Sequence, residues 1–331
     1  MVDLSVEWLG LELKSPFVVG ASPISDNIDA VRQAVEAGAG AVVMRSLFEE
    51  QLTLEQLSAH RHIDSHVDLG AEARSFLPES QVFSMGAEPY LRRLEKIRAQ
   101  VPVPVLASLN GVTSGGWTSY AKSLESAGAY AIELNLYDPA PGLAESSADV
   151  EERQLAVVAS VVQTVKLPVS VKLSPFYAAL PSFVRRLEQV GARGVVLFNR
   201  YYQPDIDLDQ LDVDLHLVLS TPTELPLRLH ALAMLSPHTA LSLACSGGVH
   251  RGRDAAKAIL SGAHVVQLAS VLLARGPGVI RGLVDELSAW LVEKGYPSVS
   301  ESRAVLSHAG TPDPQRWERL NYFKVLDGWR G

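Results

Sequence analysis

The sequence predicts an α/β fold, a (β/α)8 barrel with a short N-terminal hairpin and an insertion after its second strand. Three observations predict it. Eight short apolar runs alternate with helical patterns, as expected of parallel strands buried on both faces by crossover helices. Four helical stretches end alike, in Ala37-Gly38-Ala39, Ala127-Gly128-Ala129, Val190-Gly191-Ala192 and Ser261-Gly262-Ala263, each just before an apolar run. Glycine there closes a helix in the left-handed region, and small neighbours let helix and strand pack closely. Finally, Ala244 to Gly276 reads strand, glycine pair, helix, strand, small residue, helix. The last two units of such a barrel hold a phosphate in that order, with backbone N–H groups closing on the anion.

In chain order, Leu4–Leu9 and Leu11–Leu13 flank Gly10 as a hairpin capping the start. The eight strands are then expected at Phe17–Val19, Ala41–Met44, Val103–Ser108, Tyr130–Leu136, Val169–Leu173, Gly194–Phe198, Leu241–Cys245 and His264–Ala269. Helices are expected at Ile28–Ala37, Trp117–Ala127, Glu151–Thr164, Leu180–Val190, Pro222–Leu235 and Asp254–Leu260, with a closing helix at Pro277–Lys294. Two regions break the rhythm. Residues 48–86 carry His60, His62 and His66 among Asp64 and Asp68. That spacing admits a metal, but the polarity of the stretch favours a solvated rim or lid, and no metal is expected. The tail, 299–331, holds Trp317, Tyr322, Phe323 and Trp329, expected to pack on the barrel or on another subunit. The 331 residues are read as one barrel domain, since α/β barrels often run this long.

Net charge is −8 with a pI near 5.6. Nucleic-acid binding needs a basic footprint, so it is disfavoured. No apolar run reaches the roughly 18 residues of a membrane span. Met1 to Lys14 contains Asp3, Glu7 and Glu12 and has no basic segment leading into an apolar one, so no secretory signal is read there. The single cysteine, Cys245, excludes an intrachain disulfide and is expected to be inert core. A cytoplasmic enzyme is the expectation.

In a barrel, function sits at the C-terminal strand ends. Here they read Ala21-Ser22, Arg45-Ser46, Ser108, Asn135 to Asp138, Lys172, Asn199-Arg200, Ser246-Gly247-Gly248 and Ala269-Ser270. Packing alone does not explain polar groups at nearly every strand end. There is no metal-ligand spacing among them and no serine–histidine nucleophile pair. Amides, hydroxyls, one lysine inside an apolar strand and a phosphate seat suit a flat heteroaromatic cofactor bearing a phosphate. FMN fits, with the cation stabilising a reduced, anionic ring. Lys172 is equally open to an ion pair closing the barrel, or to Schiff-base chemistry in a phosphate-binding lyase or isomerase without flavin.

The chain resembles the dihydroorotate dehydrogenases, FMN-dependent (β/α)8 enzymes, and in particular their soluble class 1 branch. The resemblance rests on several motifs taken in order. Glu133-Leu134-Asn135-Leu136-Tyr137-Asp138-Pro139 is similar to the family's E-L-N-x-S-C-P-N segment. Val171 to Pro175, Ser246 to Val249, Val266 to Ser270 and Gly276-Pro277 continue it. It implies that Ala21, Ser22, Ser46, Ser108, Asn135, Lys172 and Asn199 line the flavin. It also implies that Ser246, Gly247, Gly248, Ala269 and Ser270 hold its phosphate. A homodimer and a separate electron-transfer partner are implied too, and with the first barrel element beginning at about Phe17 a soluble protein is expected.

The departures concern the substrate. Where the resemblance implies a cysteine or serine base, this chain has Asp138, and the asparagine two residues on becomes Ala140. The active-site lysine after the second strand becomes Arg45, and the N-S-M-G-L-x-N motif survives only as Phe83-Ser84-Met85-Gly86. Asp138, Arg45 and Lys172 are therefore the catalytic candidates, with Asp138 as general base. A site built for the amide edges of dihydroorotate loses affinity when those partners vanish. Another dihydropyrimidine, or a flavin-binding protein with a decayed pocket, stays open.

Overall fold

The computed structural model describes residues 2–49, 87–111, 117–138, 142–200, 205–214, 216–310 and 312–328. The three rim histidines, the 83–86 motif, Pro139, Ala140 and Trp329 lie outside the described residues, as does the Trp317 side chain.

Thirteen strands are described. β1 (Val6–Trp8) and β2 (Leu11–Leu13) form the antiparallel N-terminal hairpin. β3 (Phe17–Val19), β4 (Ala41–Val43), β6 (Val105–Asn110), β7 (Ile132–Asn135), β8 (Val169–Leu173), β9 (Gly194–Leu197), β12 (Ser242–Ser246) and β13 (Val265–Leu268) pair in parallel, in that order. β13 returns to β3 and closes the ring. Every residue of β3, β4 and β8 is buried, which is why these segments are near-continuously apolar. The eight barrel strands fall where the apolar runs place them: β3 and β8 coincide with their runs, and the ends of the others shift by one or two residues.

Helices follow the strands: α1 (Ile28–Glu36), α2 (Ala87–Gln100), α3 (Trp117–Ser126), α4 (Ser147–Thr164), α5 (Leu180–Gln189), α6 (Leu225–Leu235), α7 (Gly252–Ser261), α8 (Ser270–Arg275) and α9 (Val279–Lys294). Several elements were not anticipated. α2 fills the crossover between β4 and β6 and buries Tyr90, Leu94 and Ile97, spaced as one helical stripe. β5 (Leu47–Phe48) adds a short parallel pairing at the end of β6. β10 (Asp205–Asp207) and β11 (Asp212–Asp214) form an antiparallel hairpin that sets Asp205 opposite Asp214 and Asp207 opposite Asp212. α8 begins directly at Ser270, before the closing helix.

The first hairpin lies against the N-terminal end of the barrel. Trp8 is fully buried, and the Leu9 N–H donates to Ser242 Oγ at 3.0 Å. α11 (Pro314–Asp327) follows the short α10 (Val299–Ser302). Glu318 of α11 lies 3.0 Å from His230 of α6 and 3.1 Å from His308, while Tyr322 and Phe323 are exposed. No helix among the described residues is long and apolar enough to cross a membrane.

His264 directly precedes β13 at the barrel's N-terminal end, and its Nδ1 accepts the Leu243 N–H at 3.0 Å. Burial, with Arg303 nearby, pushes its pKa down to about 4. The unfolded chain, with a histidine near pH 6.5, therefore binds more protons than the folded one between those values. Stability is accordingly expected to be fully present above about pH 6.5 and to fall as pH drops toward 4, by on the order of 2–3 kcal/mol. Urea unfolding of wild type and His264→Gln across that range checks this. A variant with the same pH slope as wild type would refute it.

Candidate active site

Alternation along the strands decides what the barrel encloses. Residues two apart face the same way, and the buried polar residues come in such pairs: Ser108 and Asn110, Glu133 and Asn135, Ser170 and Lys172. The register aligns them, with Ser108 opposite Glu133 and Glu133 opposite Ser170, and with Asn110 opposite Asn135 and Asn135 opposite Lys172. At the centre, Lys172 Nζ lies 3.5 Å from Glu133 Oε1 and 3.4 Å from Gln267 Oε1. Gln267 Nε2 donates to Glu133 Oε2 at 2.6 Å. β7 and β13 stand on opposite sides of the ring, so this contact crosses the interior. Lys172 is thus both the ion-paired residue inside the barrel and a lining group of the mouth. A buried cation and carboxylate held by a shared amide keep their charges at fixed positions, which water would not do.

The mouth above this pair holds a pocket of about 90 Å³. It gathers eight of the twelve residues predicted to hold a cofactor: Ala21, Lys172, Asn199, Ser246, Gly247, Gly248, Ala269 and Ser270. Small-molecule sites usually enclose roughly 300 Å³ or more, so this recess is large enough for only part of such a ligand. Gly247 and Gly248 have φ of +89° and +80°, which side chains rarely adopt. A Cβ on Gly248 would lie 2.7 Å from the Leu225 backbone nitrogen, and nothing there can yield. Gly248 N–H donates to Ser220 Oγ at 3.2 Å, and Ser220 Oγ in turn donates to Ser270 Oγ at 2.8 Å. A larger cleft, about 790 Å³, opens by the N-terminal hairpin between Glu7, Lys166, Glu188 and Arg193. It lies at the barrel's other end, away from the strand ends where barrel chemistry sits.

The remaining four predicted cofactor residues do not line this recess, although Ser22 follows Ala21 and Asn135 stands opposite Lys172. Ser46 Oγ and Ser108 Oγ are 2.8 Å apart, and the buried Tyr90 hydroxyl fixes Ser108 by accepting its N–H at 2.9 Å. Burial raises the Tyr90 pKa well above the usual phenol value, so this clamp stays neutral. Ser22 Oγ and Asn135 Oδ1 are buried with no hydrogen-bond partner among the described residues. Orphaned buried polar atoms at a strand-end mouth fit a bound polar ligand.

Asp138 and Arg45, two of the three catalytic candidates, do not line the pocket, and they do not pair with each other. Asp138 Oδ2 accepts from Arg153 Nε at 3.1 Å and from Nη2 at 2.7 Å, and Arg153 also pairs with Glu145. These hydrogen bonds, Asp138 first, raise the Arg153 pKa and hold its charge. Arg45 is half-exposed and bonds Asp26 at 3.0 Å, a carboxylate it shares with Arg93. Cys245 is buried, and burial pushes its thiol up to about 12, so it is inert.

Sequence reasoning passed over Glu133, Gln267, Ser220 and Arg228. Glu133 was legible, because it stands two residues before Asn135 in an apolar strand and so shares its face. Arg228 was legible too: it falls on the buried stripe Leu225, Leu232, Leu235 of α6, where a charge needs a reason.

The family model for dihydroorotate dehydrogenase matches residues 3–291. A protein of Aeropyrum pernix assigned as a dihydroorotate dehydrogenase A (fumarate) is 32% identical over 65% of this chain and 72% of its own length. The dihydroorotate dehydrogenase B (NAD(+)) catalytic subunit of Pyrococcus abyssi is 27% identical over 90% of this chain and 97% of its own. The NAD-dependent dihydropyrimidine dehydrogenase subunit PreA of Escherichia coli is 24% identical over 90% of this chain and 75% of its own. With the family model spanning the whole closed barrel and every strand end described above, the chain belongs to the dihydroorotate dehydrogenase family.

Proposed function

We propose that this chain is an FMN-dependent oxidoreductase acting on a CH–CH bond of dihydroorotate or of a related dihydropyrimidine or cyclic amide. The observation that carries the reading is the Lys172–Glu133–Gln267 group directly beneath the glycine-lined pocket. FMN, when bound, supplies an acceptor for a hydride. The chain's own residues do the rest. Gly247, Gly248 and their serine neighbours seat the phosphate; Ser22, Ser46, Ser108, Asn135 and Asn199 offer hydrogen bonds to the ring. Lys172 keeps a positive charge where negative charge develops, and Glu133 and Gln267 keep the ammonium in place. Asp138 takes the substrate proton, oriented by Arg153, and Arg45 replaces the family lysine on the substrate side.

The lost cysteine, asparagines and lysine favour a substrate with fewer amide contacts than dihydroorotate. The names of the Pyrococcus and Escherichia relatives, a catalytic subunit and a subunit, support a partner protein that carries electrons away. An anaerobic screen of dihydroorotate, dihydrouracil, dihydrothymine and simple cyclic amides against the flavin-loaded protein tests this. One of them is expected to bleach the flavin. A protein that neither retains nor takes up FMN would leave the phosphate-binding lyase or isomerase standing. Flavin that no compound reduces would favour a binding protein, a reading to which the engagement of Asp138 by Arg153 lends weight.

A further inference from the structure

Arg228 projects from α6 beneath the glycine pair and is only 6% exposed. Its Nε donates to Ser246 O at 3.0 Å, and its Nη1 to Glu224 O at 2.7 Å. Its Nη2 is left with Glu224 Oε2 at 3.6 Å, and it stands 3.0 Å from where a Cβ on Gly247 would be. The same Glu224 carboxylate already takes Arg200, at 2.8 and 3.1 Å. Both arginines line the pocket.

Among the described residues, the charges around this pocket do not cancel. Lys172 is offset by Glu133, but Arg200 and Arg228 share one carboxylate, which leaves a net positive charge beside the recess. Burial opposes the Arg228 charge and lowers its pKa, with Glu224 working the other way. A buried, under-compensated guanidinium is costly unless an anion completes it. A phosphate monoester, carrying about −1.5 to −2 at neutral pH, supplies what the group lacks. Glycine at 247 keeps the Nη2 end of Arg228 open to the recess.

We propose that Arg228, braced by Glu224 and assisted by Arg200, is the charge receptor for a phosphate ester in this pocket and sets the preference for a phosphorylated over an unphosphorylated flavin. The identity of the ester rests on the FMN reading; the anion preference does not. The role differs from propping up the loop, because a prop would affect every ligand of the mouth alike.

Apoprotein is titrated with FMN and with riboflavin, which lacks the phosphate, and its thermal midpoint is followed against inorganic phosphate. Arg228→Met is expected to weaken FMN binding roughly 10- to 100-fold and to leave riboflavin binding unchanged. Arg228→Lys should recover part of the loss. Phosphate should raise the midpoint of wild type but not of Arg228→Met. Equal loss of FMN and riboflavin, or unchanged FMN affinity, overturns the proposal. If wild type takes up neither flavin yet phosphate still stabilises it through Arg228, the receptor stands and the FMN reading falls. If phosphate stabilises both proteins alike, the receptor is wrong whatever flavin does. Should Arg228→Met fail to fold, Arg200→Gln decides: a selective loss of FMN affinity supports the receptor, and an unselective one refutes it.

Discussion

Lys172→Met is expected to strip most of the flavin from the protein and to slow reduction of what remains by a factor of about 10² to 10³, the usual loss when one charge-stabilising group is removed. A second consequence separates this from a general packing defect. Lys172 lies against Glu133, which has no exposed surface, so its loss leaves a buried carboxylate with no cation beside it. Breaking such a pair costs roughly 3–5 kcal/mol, so the apoprotein should unfold at markedly lower urea. The double variant Lys172→Met, Glu133→Gln removes the stranded charge and should regain much of that stability while flavin retention stays poor. Urea unfolding of the apoprotein, flavin release on ultrafiltration and anaerobic stopped-flow measure the three quantities. Full flavin occupancy with normal reduction in the single variant would take Lys172 out of the site.

Asp138→Asn is expected to keep the flavin and to slow its reduction by substrate about 10²- to 10⁴-fold, the span of general-base contributions. The asparagine retains an oxygen that can accept from Arg153, so the fold around α4 should persist. The structure sharpens this test, because the Arg153 Nε and Nη2 hydrogen bonds both fall on Oδ2, within a cluster that includes Glu145. If Asp138 serves only that cluster, the variant should lose a little stability and almost no reduction rate. A rate within a few-fold of wild type therefore removes it from the chemistry, whichever substrate the screen finds.

The barrel was legible in the sequence because its determinants are local. β8 coincides with its apolar run at Val169–Leu173, and Gly38, Gly128, Gly191 and Gly262 all adopt positive φ at the helix ends where the repeat puts them. α2 was overlooked although Tyr90, Leu94 and Ile97 keep helical spacing, since arginine, lysine and glutamate outnumber them. The β10–β11 hairpin hid for a related reason: its alternating aspartates and aliphatics are exposed on both faces, so burial does not select its register. At the site, the glycine pair and Lys172 announce themselves by residue type. The meeting of Gln267 with Glu133, 134 positions away, depends on ring closure, and so does the reach of Arg228 to Ser246. Pairings of that kind exist only once the strands have been ordered, and no window along the chain contains them.

Lys172, Gln267 and the glycine pair belong to β8, β12 and β13 or to the two residues beyond them, whereas Asp138 follows β7 in a loop and Arg45 lies between β4 and β5. On the proposed FMN reading, mutational drift can therefore rewrite what the enzyme consumes without disturbing what it carries. Lineages descending from this scaffold should then diverge in diet long before they lose their colour.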